Sequence, residues 1–318
     1  MRMMKRNLFE NNTIITAGSA YLDIDAYACM VAMAELLNLQ GIPALAFSEA
    51  PCNYSVCSSL TMEGQIACKL PSDFDGNDAK YIIVDVSDPE FLKYSVPLDR
   101  VIAVYDHHVG FEDYWTSRIG DGSHIEFIGA AATLIYREWE RAGLTHEMKI
   151  STAKLLIAAI LDNTLNLTSS NTTPEDIEVF RALCAYADVG EEFRASYFSE
   201  VQKSVEADLQ NALFGDIKTV RDNPVLPPRV AQLCVWDATG ILARLDEIRG
   251  WLTPLGESWM INIMDLSRNC SFFVCGDEGT QRKLEAVFEV SFESGIARTS
   301  EPYLRKQIIR KTLDLMKN

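Results

Sequence analysis

The residues of this chain that could do chemistry are carboxylates and imidazoles placed where predicted strands and one predicted helix end. They are Asp23, Asp25, Asp85, Asp106, His107, His108 and Asp162. The carboxyl ends of adjacent parallel strands lie at one edge of a sheet, so we expect the strand-end residues to meet there. Clustered carboxylates raise one another's pKa values, and divalent cations relieve that repulsion. Carboxylates with imidazoles suit Mn²⁺, Mg²⁺ or Co²⁺, and shared carboxylates can hold two ions about 3.5–4 Å apart.

Each of these residues also has a purely structural interpretation. An aspartate after a strand is commonly a helix N-cap or forms an Asx turn, and an isolated histidine is more often a surface or core residue than a ligand. Asp88, which Pro89 and Glu90 follow, is interpreted as such a cap. The metal-site interpretation depends on the combination of residues and not on any one of them.

Signals for strands and helices alternate through the first half of the chain. Apolar or β-branched runs predict strands at 13–17, 44–47, 81–86, 101–105 and 124–128. Helical spacing predicts helices at 26–39, 130–142 and 152–161, and Thr173-Pro174-Glu175-Asp176 predicts the start of another that ends near 186. Interleaved strands and helices predict an α/β fold with a doubly wound parallel sheet.

The length of 318 residues suits two domains. We place the first, which carries the metal-binding residues, at 1–190, and a smaller α/β domain for substrate binding at 205–318. The connection is expected at about 188–205, where the sequence is charged. In the second domain, strands are predicted at 230–236, 259–266 and 271–276, and helices at 240–251 and 281–288.

The formal net charge of −16 restricts the partners of the chain. An acidic surface repels phosphate backbones, so no long nucleic acid is expected, whereas metals and a few cations in one cleft can hold a small anionic phosphate substrate. The eight cysteines form no CxxC pair, which favours a reducing compartment. With neither an apolar signal-peptide core nor a membrane-spanning run, we expect a cytoplasmic protein. The sequence leaves its oligomeric state open, a homodimer included.

The same residues carry a resemblance to a known family. Asp23-x-Asp25, Asp85, Asp106-His107-His108 and Asp162 with Thr164 resemble, in order and spacing, the four motifs of the DHH phosphoesterases. The stretch 162–176 is similar to the fourth-motif region of family II pyrophosphatases and exopolyphosphatases. The resemblance implies that Asp23 binds one ion and Asp25 the other, that Asp85 bridges both, that His107 and Asp162 complete the second site, and that His108 faces the substrate phosphate. Asp106 would orient the histidine pair, as metal-bound imidazoles usually require.

The first motif departs from the family pattern at Ser19, which follows Gly18. Family II pyrophosphatases carry a metal-binding histidine at this position, and the exopolyphosphatase and prune-like branches carry asparagine. Serine implies a weaker and harder first ion site that prefers Mg²⁺ or Mn²⁺. The departure favours exopolyphosphatase-like action over dedicated pyrophosphatase action.

Cations of the second domain carry a looser resemblance to the same branch. Asp216-Ile217-Lys218 resembles an Asp-x-Lys motif, and the stretch from Leu304 through Arg305 and Lys306 resembles the Ser-Arg-Lys-Gln tail of these enzymes. The resemblance implies that Lys218, Arg305 and Lys306 bind the substrate's phosphates, Arg as a planar fork and Lys as a point charge. On spacing alone, a solvated face of a C-terminal helix is favoured instead for Arg305, Lys306, Arg310 and Lys311. The resemblance favours phosphate binding for Arg305 and Lys306 and leaves Arg310 and Lys311 as surface residues.

The resemblance implies a divalent-metal-dependent phosphohydrolase that cleaves phosphoanhydride bonds of inorganic polyphosphate or pyrophosphate with water activated by two ions. A nanoRNase-like phosphodiesterase acting on small nucleotides or oligonucleotides stays open, because fold and metal site do not fix the substrate. Against it, no histidine follows His146, so the GGGH-type segment of the oligonucleotide-cleaving branch is absent from the sequence. A catalytically silent regulatory protein on the same scaffold also stays open.

Overall fold

The structure is a computed structural model that describes residues 12–314 except 19, 72–77, 93–94 and 257. The predicted effect of Ser19 therefore lies outside the described residues. The chain divides into two compact units, of which the first ends at Arg194 and the second begins at Ala195. This division falls within a helix, Glu191–Ala207, so the stretch predicted to connect the domains, 188–205, is mostly helical. The domain bounds 1–190 and 205–318 stay a prediction.

The first unit is built on a five-stranded parallel sheet. In chain order its strands are β1 Thr13–Thr16, β2 Ala44–Ala46, β3 Lys80–Val84, β4 Val101–Asp106 and β5 Ser123–Ile125. Their order in space is β2-β1-β3-β4-β5, and every pair is parallel. The central strands are runs of buried β-branched residues such as Ile14, Ile15 and Ile83, as expected of a sheet covered on both faces. The predicted α/β fold with a parallel sheet is confirmed.

Six helices of the described chain belong to this unit or begin in it. They are α1 Ile24–Leu39, α2 Glu112–Ile119, α3 Ala131–Ala142, α4 Ile150–Asn163, α5 Pro174–Ala187 and α6 Glu191–Ala207. Helices α1 and α4 are apolar on nearly every side because they pack against each other and against further helices. Helix α2 was not predicted, because it is short and polar and Trp115 is its buried residue.

Capping side chains set the starts of two helices as the sequence predicts. Thr173 and Asp176 form a reciprocal capping box at the start of α5, with Pro174 in its first turn. The side chain of Asp88 accepts a hydrogen bond from the Glu90 amide and caps a single 3₁₀ turn. The structural interpretation of Asp88 is therefore confirmed.

The sheet reverses its direction of strand addition at β1, which has β2 on one side and β3 on the other. In doubly wound sheets, ligands bind beyond the carboxyl ends of the strands at such a switch point. Asp23 follows β1 and Asp85 follows β3, so both lie where this topology favours a site.

The second unit contains a mixed sheet. Its strands are β6 Lys218–Thr219, β7 Arg229–Val235, β8 Met260–Asp265, β9 Cys270–Cys275 and β10 Ile296–Arg298. They lie in the order β10-β9-β8-β7-β6, in which the pair β7–β8 is parallel and the other pairs are antiparallel. Its helices are α7 Leu209–Asp216, α8 Thr239–Leu242, α9 Leu245–Leu252, α10 Glu278–Phe288 and α11 Arg305–Asp314. The predicted second, smaller α/β domain is confirmed as a fold class.

Two details of this unit differ from the prediction. The single helix predicted at 240–251 is two short helices, α8 and α9. The edge strands β6 and β10 were not predicted, because two or three residues are too few to show a period. Among the helices described, none is long and apolar enough to cross a membrane.

Candidate metal centre

Asp85 leaves the end of β3 in a left-handed backbone conformation, with a φ of 57°. An aspartate held there costs about 1–3 kcal/mol and persists only where its surroundings fix it. Its amide still donates to the Tyr105 carbonyl on β4, at 2.8 Å, while the side chain is 6% exposed. Burial raises the pKa of Asp85 well above its usual value, and the neighbouring carboxylate of Asp23 raises it further. The strained turn thus buries a carboxylate that is costly to charge.

His107 is oriented by a backbone carbonyl. Its Nδ1 lies 3.2 Å from the Ile128 carbonyl oxygen, which can only accept, so Nδ1 carries the proton and donates. In the neutral ring, Nε2 then presents a lone pair, and it lies 3.3 Å from Asp85 Oδ1 and 3.9 Å from Asp25 Oδ2. Among the described residues, neither Nε2 of His107 nor Oδ1 of Asp85 has a hydrogen-bond partner. Two lone pairs face each other in a buried place, an arrangement that a cation between them would stabilise.

Asp25 is fully buried in the first turn of α1. Its two carboxylate oxygens accept hydrogen bonds from the amides of Ala131 and Ala132, each at 2.8 Å. These amides open helix α3, whose N-cap Ala130 has no side-chain acceptor of its own. The negative charge at a helix N-terminus is favourable. Burial nevertheless raises the pKa of Asp25 well above its usual value, and Asp85 adds to that shift.

His108 is held by Asp106 and not by the carbonyl that orients its neighbour. Oδ1 of Asp106 accepts from the amide and from Nδ1 of His108, at 3.1 and 2.8 Å. Burial alone would raise the pKa of Asp106, but the hydrogen bonds from His108 outweigh it and lower that pKa. Burial likewise opposes the charged form of His108, and Asp106 reverses the effect and raises the pKa of His108. The imidazole is 60% exposed, so its outer edge faces solvent.

Asp23 caps a helix and also lies beside Asp85. Its Oδ1 accepts from the Ala26 amide at 3.0 Å and so caps helix α1. Its carboxylate also lies close enough to Asp85 to raise the pKa of that residue by repulsion and by a side-chain hydrogen bond. The Asp23 side chain therefore both caps helix α1 and lies next to the candidate metal centre.

The structure brings three of the predicted site residues into one group that could hold a metal ion. One donor atom each of Asp85, His107 and His108 lies within 4.8 Å of the others, and Asp25 joins them through His107. Asp162 lies in the last turn of α4, half-buried, and within the described chain it is outside this group of three. Oxygen and imidazole donors of this kind fit a hard or borderline divalent ion.

The loop after Asp162 contains a feature that the sequence did not reveal. Leu165, Asn166 and Leu167 all have left-handed backbones, with φ values of 49°, 61° and 64°. The Leu167 amide donates to Thr164 Oγ1 at 3.0 Å and ties the turn to the end of the helix. No glycine marks the turn, so only Asn166 offered a signal for it.

The predicted phosphate-binding cations of the second unit differ in their surroundings. The Arg305 guanidinium forms an ion pair with the Asp216 carboxylate and donates to the Asp216 carbonyl at 2.9 Å. Lys218 in β6 and Lys306 in the first turn of α11 are exposed. Asp216 of the Asp-x-Lys stretch thus compensates the charge of Arg305, while both lysines face solvent.

No protein-family model matches the chain. A Deinococcus radiodurans protein described as a probable manganese-dependent inorganic pyrophosphatase is 23% identical over 311 residues, 92% of this chain and 95% of that protein. A Staphylococcus epidermidis protein described in the same words is 26% identical over 259 residues, 75% of this chain and 76% of that protein.

Two solved structures share the fold over nearly the whole chain. A Methanococcus jannaschii protein assigned to the family II inorganic pyrophosphatases matches with a TM-score of 0.64 and 18% identity, covering 96% of this chain and all of that one (100%). An exopolyphosphatase-related protein of Bacteroides fragilis matches with a TM-score of 0.52 and 12% identity, covering 99% of this chain and 95% of that one. The chain has the fold that these proteins share. The predicted resemblance to the DHH phosphoesterases, in their pyrophosphatase and exopolyphosphatase branch, is confirmed.

Proposed function

We propose that this chain is a divalent-metal-dependent phosphohydrolase that cleaves phosphoanhydride bonds of pyrophosphate or inorganic polyphosphate. The observation that carries the proposal is the buried contact of 3.3 Å between Nε2 of His107 and Oδ1 of Asp85, two atoms without hydrogen-bond partners in the part of the chain described. Relatives described as manganese-dependent inorganic pyrophosphatases support the same metal and substrate class.

The proposed ligands are the five residues named from the sequence, and they would hold two ions, with Mn²⁺ preferred and Mg²⁺ or Co²⁺ able to replace it. They are Asp23, Asp25, Asp85, His107 and Asp162. When bound, the ions supply an activated water and neutralise phosphate charge. Asp85 lies beside both Asp23 and His107, which supports the proposal that it would be shared between the two ions.

His108 would act on the substrate. Its Nδ1 is bound to Asp106 at 2.8 Å, so the outer nitrogen is the one available to a phosphate oxygen. Asp106 raises the pKa of His108, which favours a protonated ring that can donate to the leaving oxygen. The cations Lys218, Arg305 and Lys306 would neutralise further phosphate charge. Because Asp216 already binds Arg305, we expect the exposed Lys218 to contribute more than the arginine.

The test is phosphate release by the Mn²⁺-loaded protein from pyrophosphate, tripolyphosphate, long-chain polyphosphate and a dinucleotide, with Asp85→Ala as the control. Release from the inorganic substrates that Asp85→Ala abolishes is expected, and it would also rank them by chain length. Cleavage of the dinucleotide alone would favour the nanoRNase-like alternative. No release from any of the four, with no binding of Mn²⁺, would favour the catalytically silent scaffold.

A further inference from the structure

One short segment of the first unit contacts two proposed metal ligands at once. This clamp segment, residues 128–132, offers the Ile128 carbonyl to Nδ1 of His107 at 3.2 Å. It also offers two amides at the start of α3 to the Asp25 carboxylate, at 2.8 Å each. The tautomer of His107 and the direction of the Asp25 carboxylate therefore both depend on where the clamp segment lies.

Asp176 binds the clamp segment through Gly129. This carboxylate, in the first turn of α5, is fully buried and accepts from the Gly129 amide at 2.9 Å. It also accepts from the Thr133 hydroxyl at 2.6 Å and from the amide and hydroxyl of Thr173 at 2.7 Å each. Four donors around one carboxylate fix its orientation. Asp176 thus joins the clamp segment to the end of the loop that follows Asp162.

Gly129 allows this close approach because it has no side chain. A Cβ built there would lie 2.6 Å from Oδ2 of Asp176 and 2.7 Å from Cγ2 of Thr164, both shorter than real contacts. Its backbone is not left-handed, so the need is for space and not for an unusual conformation. The Asn171 amide group adds a hydrogen bond of 3.4 Å to the Gly129 carbonyl. Gly129 therefore brings the clamp segment into close contact with the stretch 162–176.

We propose that Asp176 is a positioning residue for the metal centre and that it acts through Gly129 and the clamp segment. It keeps the Ile128 carbonyl where that carbonyl holds His107 with Nδ1 protonated and Nε2 free. It also keeps the start of α3 where its amides aim the Asp25 carboxylate at the same nitrogen. The inference rests on the proposed function for the identity of the centre, but not for the geometry of His107.

Asp176 has a simpler role that must be told apart from this one. It is the capping-box partner of Thr173, and loss of a cap lowers stability without changing a distant site. A cap alone predicts unchanged metal affinity and an unchanged His107 tautomer in every folded variant. Outer-shell partners of metal ligands, by contrast, typically alter metal affinity by roughly 10-fold to 100-fold.

The first measurement is a calorimetric Mn²⁺ titration of the full chain and of Asp176→Asn, Gly129→Ala and Asp265→Asn. Asp176→Asn puts an amide nitrogen among donors, and Gly129→Ala displaces the clamp segment while leaving Asp176 intact. We expect both to weaken Mn²⁺ binding by roughly 10-fold to 100-fold. Asp265→Asn is the matched control, because Asp265 is also a fully buried, multiply bonded carboxylate, in the second unit, and its loss should leave Mn²⁺ affinity unchanged.

The second measurement is ¹⁵N NMR of the histidine rings in the metal-free protein at one fixed pH. The chain has four histidines, and His107→Gln assigns the signal of interest. We expect wild-type His107 to be protonated at Nδ1, and the Asp176 and Gly129 variants to show a mixture of tautomers.

If wild type binds no Mn²⁺, the proposed function fails while the tautomer still decides the role of Asp176. Wild-type Mn²⁺ affinity and wild-type His107 signals in both variants would overturn the inference. If Asp176→Asn does not fold, Gly129→Ala and Thr133→Val, which removes one donor to Asp176, give the decision.

Discussion

Two buried aspartates occupy the same kind of position in the two units, at or just beyond the carboxyl end of a central strand. Asp265 ends β8 in the second unit, and Asp85 follows β3 in the first. Asp265 accepts from the Ala238 amide at 2.9 Å, the Ser267 hydroxyl at 2.9 Å and the Arg268 amide at 2.8 Å. The Arg268 guanidinium adds an ion pair at 2.6 Å.

Asp85 lacks that set of donors. Its Oδ1 has no hydrogen-bond partner in the described structure, and it lies 3.3 Å from Nε2 of His107 and 4.0 Å from Nδ1 of His108, while the Asp23 carboxylate repels it. A buried aspartate whose oxygens are all bound by donors, which we call a closed set, has a structural role. A buried aspartate with an oxygen that lacks a donor can still bind a cation. Position at a strand end therefore does not distinguish the two roles, whereas the donors around the carboxylate do.

The largest expected difference between the two aspartates is in catalysis. Asp85→Ala should reduce phosphate release from the preferred substrate by roughly three orders of magnitude or more, because it removes the residue proposed to be shared by both ions. Asp265→Asn should keep the wild-type rate per folded molecule. Steady-state phosphate release at saturating Mn²⁺ checks both, and equal losses in the two variants would mean that the comparison is wrong.

The second-largest expected difference between Asp85 and Asp265 is in the stability that bound metal adds. Bound Mn²⁺ stabilises the folded chain by mass action, by about 2.7 kcal/mol when its free concentration is 100 times the dissociation constant. Thermal unfolding with Mn²⁺ and with a chelator should show this gain in wild type and in Asp265→Asn. Asp85→Ala should lose it. A gain of wild-type size in Asp85→Ala would place the ion elsewhere.

The stability of the metal-free protein should respond to the two aspartates with opposite sign. Asp265→Asn turns an acceptor toward donors and leaves buried groups unsatisfied, so we expect a loss of about 2 kcal/mol in the free energy of unfolding. Asp85→Asn removes a buried charge that faces a second carboxylate, so we expect a gain on the order of 1 kcal/mol. Chemical unfolding in the presence of a chelator measures both changes. Loss of stability in Asp85→Asn would indicate a satisfied carboxylate after all.

The sequence predicted most of the first unit for a physical reason. Its parallel strands are buried on both faces, so they read as continuous apolar runs, and Thr173 to Asp176 carry an explicit helix start. It also predicted that Asp85 and the pair His107 and His108 come together, because parallel strands end at one edge.

What the sequence missed is mostly backbone. The Ile128 carbonyl and the amides that open α3 orient His107 and Asp25, but they belong to an apolar stretch with no side-chain signal. Asp106 was predicted to orient both histidines. In the structure Asp106 binds His108, and the Ile128 carbonyl binds His107 instead. Asp265, like Asp85, stands at the end of a strand, so the sequence alone does not separate them. The donors that folding brings to each carboxylate decide between a structural role and a metal-binding role.

The smallest expected effect tests how far one donor matters to the closed set around Asp265. Arg268→Met removes the guanidinium at 2.6 Å, together with its hydrogen bonds to Asp237 at 3.0 Å and to Thr239 at 2.9 Å. It keeps the hydrogen bonds that Asp265 accepts from the amides of Arg268 and Ala238 and from the Ser267 hydroxyl. Because the Arg268 side chain is 40% exposed, its ion pair is screened by solvent, and we expect a smaller loss in the free energy of unfolding than Asp265→Asn gives. Mn²⁺ affinity should stay at the wild-type value. A loss as large as that of Asp265→Asn would show that the ion pair, and not the set of hydrogen bonds, closes this carboxylate. Asp265 and Asp85 would then differ only in whether a cationic side chain compensates the charge of the carboxylate.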